Sequence, residues 1–270
     1  MKKQISTELE KNKGSFAVAF KDLTTGEELL INEHELFHAA STMKTPVMIE
    51  AYKQAAVGTF SLSDSITIRN EFKSIVDSSI YSLKAEDDSD TLIYKHIGEK
   101  APISSLLYNM IIVSSNLATN ILIEKVDAKK VTQSLRDIGA KDIKVLRGVE
   151  DNKAYQAGLN NQVTAYDLML VFEKLGKEEF VNSEASKEMI SILMDQKYNT
   201  IIPAKLPAEV KVAHKTGWIK GINHDSSLII LPNGKKYVLV LLSSKVEDEN
   251  TAVESMAAVS KMIYDYEIEK

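Results

Sequence analysis

At 270 residues, 44% of them hydrophobic, the chain can bury a full core as one large domain or two that share an interface, with no need of a metal or disulfide for stability. Acidic residues outnumber basic ones 38 to 33, a net charge of −5 with no long block of either sign, which argues against a nucleic-acid or anionic-membrane surface. Cysteine is absent, which excludes thiol nucleophiles, disulfides and cysteine metal sites.

In chain order, MKKQISTELEKNKG predicts a short polar helix and holds no apolar run of signal-peptide length, so the protein is either cytoplasmic or exported with its signal already removed. SFAVAFKDL and EELLINE, separated by Thr24 to Gly26, alternate as a hairpin. TPVMIEAYKQAAV, within Lys44 to about Val57, is helical and apolar. The polar SLSDSITIRNEFKSIVDSSIYSLKAEDDSD reads as loop with short helices, and Asp87, Asp88 and Asp90 are expected on its solvated surface. Helical patterns follow at Ile103 to Val113, Leu117 to Val126, Lys130 to Ile138 before Gly139, and Thr164 to Leu175 before Gly176. Past Pro207 the period changes: EVKVAHKTG reads as a strand, SSLIILPNGKKYVLVLLSS as a hairpin turning at Asn233-Gly234, and Asn250 to Tyr266 as an amphipathic helix. No run approaches the ~20 apolar residues of a membrane span.

Strands at both chain ends with helices between them predict an α+β fold. Residues 1–39 and 206–270 form an antiparallel sheet flanked by helices, a three-layer α/β/α arrangement, and residues 40–205 form an inserted all-helical domain.

HELFHAASTMK, from His34 to Lys44, carries two catalytic signatures that exclude each other. HELFH fits the zinc-protease pattern H-E-x-x-H, which needs both histidines on one face of a stable helix and a third ligand. Here the segment follows a strand, and His96, His214 and His224 lack ligand spacing, so no metal is expected, with His34 solvated and His38 packed or hydrogen-bonded. STMK fits S-x-x-K and opens the helix that follows, so Lys44 is placed within reach of the Ser41 hydroxyl as its base. For that role its pKa must fall, through burial or a neighbouring cation such as Lys215 in His214-Lys215-Thr216-Gly217. In IIVSSNLATN, Ser114 and Asn116 sit between two helices, where a hydroxyl could relay a proton and an amide could bind a substrate carbonyl.

Ser41-x-x-Lys44, Ser114-x-Asn116 and Lys215-Thr216-Gly217, in that order, resemble the motif set of class A β-lactamases and penicillin-binding proteins. The resemblance runs over nearly the whole chain through ASTMKTPVM, VSSNLATNILIE, VAHKTG and GINHDSSLIILPNGKKYVLVLLS. It implies an active site between the sheet and helical parts, an acyl-enzyme on Ser41, and an oxyanion hole made of the Ser41 and Trp218 N–H groups. It also implies a deacylating glutamate on an omega-shaped loop, for which Glu150 is the candidate, with Arg147 as the loop's anchor. Substrate contacts fall to Asn116, Thr216, Gly217 and Trp218.

Four departures stand out. Ser115 replaces the family's aspartate between serine and asparagine; Asp151 and Ala154 replace the proline and asparagine that usually follow the glutamate, so Asn160 or Asn161 is left to hold the water. Trp218 stands where a small residue is usual and either narrows or stacks on the substrate or fills a gap. With only Arg69, Arg136 and Arg147 in the chain, a substrate carboxylate falls to Lys215 and Thr216, with Lys220 a further candidate.

The leading expectation is a monomeric, cofactor-free serine β-lactamase of class A type, periplasmic or secreted by the resemblance. The alternatives are a penicillin-binding protein, peptidoglycan-directed peptidase or esterase with slow β-lactam turnover, and a binding module that has lost catalysis. Its partner is a small β-lactam or peptidoglycan-like molecule.

Overall fold

The computed structural model describes residues 1–270. The first part of the chain runs α1 (Lys2–Leu9), β1 (Ser15–Asp22), β2 (Glu28–Ile31), β3 (Phe37–His38) and α2 (Lys44–Ala56). The polar stretch that follows folds as small strand pairs, β4 (Ser65–Thr67), β5 (Phe72–Lys73), β6 (Ile80–Tyr81) and β7 (Lys100–Pro102), with 3-10 turns at Ala85–Asp87 and Thr91–His96. Next come α3 (Ile103–Ile112), α4 (Asn116–Val126), α5 (Ala128–Asp137), α6 (Asn152–Gln156), β8 (Gln162–Val163), α7 (Ala165–Gly176) and α8 (Ser183–Met194). The chain closes with β9 (Lys211–Ile219), β10 (Ile222–Ile230), β11 (Lys236–Ser244) and α9 (Glu249–Ile268).

One antiparallel sheet takes strands from both chain ends, in the order β2-β1-β11-β10-β9. Both faces are covered, so β10 and β11 are buried along nearly their whole length; β11 reads as a continuous apolar run, while β10 buries polar residues, Asn223 to Ser227, in its first half. Val18, Phe20, Leu239 and Leu241 face the terminal helices, packing with Ile5 and Leu9 of α1 and Met256, Val259 and Ile263 of α9. Ala17, Ala19, Val238, Val240 and Leu242 turn the other way, into a core shared with Leu168, Val171 and Phe172 of α7 and with the remaining helices. Phe172 and Phe20 are almost fully buried, each a contribution of about 1.5–3 kcal/mol from area removed from water. No helix is long and apolar enough to cross a membrane.

Several elements differ from the sequence reading: the polar stretch read as loop with short helices holds the pairs β4–β7 and β5–β6, so residues 40–205 are not all-helical, and β3, β8 and α6 were not anticipated. Helix α8 was not read from the sequence either; it buries Ala185, Ser186, Met189, Ile190 and Leu193, and Asn182 caps it by accepting a hydrogen bond from Ala185 N. Asp88 and Asp90 are not solvated but 6% and 9% exposed, because the stretch that carries them packs against α3 and α4; only Asp87 is exposed.

Candidate active site

Ser41 lies in a 3-10 turn, Ala40–Met43, that runs directly into α2, so it sits just ahead of the α-helix rather than inside its first turn. Ala40 enters that turn at φ 43°, a left-handed conformation costly for a residue with a Cβ. Edge strand β9 closes against the turn: a Cβ at Gly217 would meet Ser41 N at 3.1 Å and Thr42 Cγ2 at 3.2 Å, so glycine permits the approach.

Lys44 has no exposed surface. The sequence placed its amine against Ser41; in the structure all three of its hydrogen bonds go across the cleft, to Ser114 O at 2.7 Å, Ser114 Oγ at 3.1 Å and Asn116 Oδ1 at 2.8 Å. Three donated bonds describe the ammonium form, and accepting a proton from Ser41 requires that form to lose one. Burial makes this accessible by lowering the Lys44 pKa to about 7, against the opposing pull of Asp88 and Glu150. Lys215, also without exposed surface, donates to the same Ser114 hydroxyl at 3.1 Å and to Thr216 O at 3.0 Å. Burial and then the charge of Lys44 hold it well below the usual lysine range, with Asp225 opposing. The Ser114 hydroxyl therefore bridges two lysines, from a residue that is itself at φ 58°.

On the facing side Arg147, 8% exposed, donates to Leu159 O, Gly148 O and Asn160 Oδ1 and so ties the ends of a loop together. Asn161 completes the tie, accepting from Leu146 N and Arg147 N and donating to Arg147 O. Both asparagines proposed as water ligands are thus engaged with Arg147 and the loop backbone. Further along, Asn120 of α4 grips Val149 on both sides, accepting from its N–H and donating to its carbonyl. Gly148 makes room for that grip, since a Cβ there would fall 2.2 Å from Asn120 Oδ1. Glu150 follows at φ 62° and faces the cleft; partial desolvation and the charge of Asp87 raise its pKa, with Arg147 and Lys44 pulling the other way. No peptide bond in the chain is cis, so the loop passes Asp151 without the turn a proline would give. Asp151, 2% exposed, instead accepts from Ala154 N, Ser74 Oγ and Ile75 N, which caps α6 and fastens the loop to the β5–β6 hairpin. Ala154 is buried and adds no polar group.

Together these walls enclose a cleft of about 700 Å³. Ser41, Ser114, Asn116, Glu150, Thr216, Gly217 and Trp218 all line it. Trp218 is 64% exposed at the rim and fills no gap: its Nε1 donates to Glu249 Oε2 at 2.6 Å. Lys220 reaches the same rim. Tyr155 and Asn223 also line the cleft and were not singled out from the sequence, having no motif to flag them; so do His38 and His224, which the sequence weighed only as metal ligands. Burial lowers the His224 pKa to about 4, so this ring is neutral, with Nε2 donating to His38 O and Nδ1 accepting from Ser243 N. The H-E-x-x-H histidines diverge: His34 is exposed near Asp142 and Tyr166, while His38 accepts from Ala40 N and packs on Tyr155.

The model of the β-lactamase enzyme family matches residues 1–267. The chain is similar to a β-lactamase of Bacteroides uniformis, 25% identical over 256 residues that cover 89% of this chain and 82% of that protein. Among solved structures it resembles an ancestral class A β-lactamase (22% identity, TM-score 0.84, 98% of this chain and 99% of the other). It also resembles a variant of PBP-A solved as an acyl-enzyme complex with penicillin G (23% identity, TM-score 0.84, 100% and 96%).

Proposed function

The chain belongs to the β-lactamase enzyme family, and from that premise we propose that it is a serine β-lactamase of class A type, acting through an acyl-enzyme on Ser41. The observation that carries this reading is the convergence of two buried lysines on the Ser114 hydroxyl, beside the Ser41 turn. Lys44, once neutral, takes the Ser41 proton; Ser41 Oγ attacks the lactam carbonyl, and the oxyanion is met by the Ser41 and Trp218 N–H groups. As the ring C–N bond breaks, the nitrogen takes a proton from Ser114, which regains one from a flanking lysine. Glu150 then draws a proton from the water that cleaves the ester. The substrate carboxylate is held by Thr216 and the Lys215 charge, with Asn116 on the acyl amide.

One observation favours a second reading, a penicillin-binding protein or D-alanyl peptidase. Ala154 offers no polar atom, Asn161 is engaged through both ends of its amide, and Asn160 has its oxygen on Arg147, which leaves only the Asn160 amide N–H groups to hold a water for Glu150. Substrates of both kinds lie outside the cytoplasm, so we place the working protein in the periplasm or medium, as a monomer. The two readings separate by intact-protein mass over time with a penicillin and a cephalosporin, read beside loss of β-lactam absorbance. A fleeting adduct with sustained antibiotic loss is expected for the first; a lasting adduct without turnover would replace it with the second, and no adduct at all would refute both.

A further inference from the structure

We infer that Asp88 is a positioning residue of the reaction: its carboxylate holds the Ser114–Asn116 loop, and through it the Lys44 amine, in the role left open by Ser115. The inference rests on the reading of Ser41 and Lys44 as nucleophile and base.

Helix α4 starts at Asn116, and its first N–H groups need acceptors. Ser115 supplies one neutral contact, to Ala118 N at 3.3 Å. The stronger acceptor comes from 28 residues earlier in the chain. Asp88 Oδ1 accepts from Asn116 N at 2.9 Å and Asp90 N at 3.1 Å, while Oδ2 accepts from Leu117 N at 2.9 Å, Asn116 N at 3.1 Å and the Tyr94 hydroxyl at 2.9 Å. A buried carboxylate at the positive end of a helix is electrostatically favoured, so this contact is both cap and anchor. Lys44 grips the same loop from the other side, through Ser114 O, Ser114 Oγ and Asn116 Oδ1, so that Asn116 is held by both. The loop is therefore clamped between a buried carboxylate and a buried amine. Ser114 needs that clamp, because its left-handed backbone relaxes once the surroundings stop dictating it. Three charged groups bear on the Lys44 amine: Asp88 and Glu150 favour its charged form, and Lys215 meets it at the shared Ser114 hydroxyl. A helix-capping carboxylate thus also acts on when Lys44 becomes a base.

The test compares Ser41 acylation by a chromogenic cephalosporin in the unaltered protein, Asp88→Asn, Asp88→Ala, and Asp88→Ala combined with Ser115→Asp. Asp88→Ala is expected to slow acylation by ~10–100-fold, the range that losing hydrogen bonds to a charged group produces. Ser115→Asp should recover most of that rate by restoring a carboxylate at the same helix end. In Asp88→Asn the acid limb of the acylation profile should move to lower pH, because an anion that favours the ammonium is gone. The Lys44 side-chain NMR signal, assigned by its loss in Lys44→Arg, should titrate at correspondingly lower pH. A folded Asp88→Ala protein acylating at the unaltered rate, no recovery with Ser115→Asp, or an unmoved Lys44 titration in Asp88→Asn would each overturn the inference. If Asp88→Ala does not fold, the isosteric Asp88→Asn decides the matter alone. If the unaltered protein forms no adduct, the functional reading falls, while the NMR titration still judges Asp88.

Discussion

The two walls of the cleft are held by different means. On the sheet side, Lys215 to Trp218 belong to β9, registered residue by residue against β10, so each position is fixed by a ladder of backbone bonds that barely consults side-chain identity. On the loop side, Arg147 to Asn161 form few repeating bonds, and shape comes from single side chains: Arg147, Asn161, Asn120 and Asp151. A motif can mark the first kind of wall, whereas the second depends on partners scattered along the chain. The loop wall should accordingly be easier to disable one residue at a time, and its failure should spare steps that the sheet wall supports.

The largest expected effect tests that separation. Glu150→Gln should slow deacylation by ~10²–10⁴-fold while acylation stays within a few-fold, measured as a persistent Ser41 adduct by intact mass. Equal losses in both steps would join the walls into one functional unit. Next, Asn161→Ala removes three buried hydrogen bonds and should lower stability by about 2–4 kcal/mol in denaturant unfolding. On the sheet wall, Ser226→Ala loses one bond to Lys215 O, which the ladder already positions, and should stay under ~1 kcal/mol. A reversed order would mean that the loop is fixed by its backbone after all.

The lysine side has its own signature in pH. Lys44 titrates near 7 and must be neutral to accept a proton, so acylation should rise with pH to a plateau above that value. At pH 5, with about 1% of the amine free, the rate should be roughly a hundredfold lower in stopped-flow measurements. A flat profile between pH 5 and 8 would remove Lys44 as the base. The most local effect concerns the β5–β6 hairpin. Asp151→Ala cuts its tie to the loop and should cost about 1–2 kcal/mol, with faster amide exchange confined to residues near 74–79 and 150–158.

What could be read from the sequence follows the same division. The sheet, its hairpin turn at Asn233-Gly234 and the three motifs were legible because each depends on local pattern: apolar runs, a turn pair, a fixed spacing of reactive groups. The buried state of Asp88 and Asp151 was not. An aspartate in a polar stretch looks solvated until its acceptors are matched to N–H groups on another element, and that pairing exists only in three dimensions. The same holds for the Asn161 amide and the Asn160 side-chain oxygen, which looked free beside Glu150 but are taken by Arg147 and its neighbours. Lys44 was assigned to Ser41 by helical spacing, which fixes where its Cα sits; the loop beyond fixes where its amine goes. Helix α8, by contrast, does carry a local signal that the reading passed over: Ala185, Met189, Ile190 and Leu193 fall at helical spacing behind the Asn182 cap.

The pairing of β1 with β11 joins segments more than 200 residues apart, from Ser15–Asp22 to Tyr237–Ser244. On a ribosome, the first strand emerges long before its partner exists, and the helical middle must collapse while the sheet is still missing. Lys215 and Gly217 reach the cleft only through that sheet. A chain cut short between α4 and β9 would keep Ser41, Lys44 and Ser114 yet have no second wall to set against them. On the proposed reading of Ser41, reactivity therefore arrives at the end of synthesis, and fragments released early are expected to stay inert toward acylating compounds.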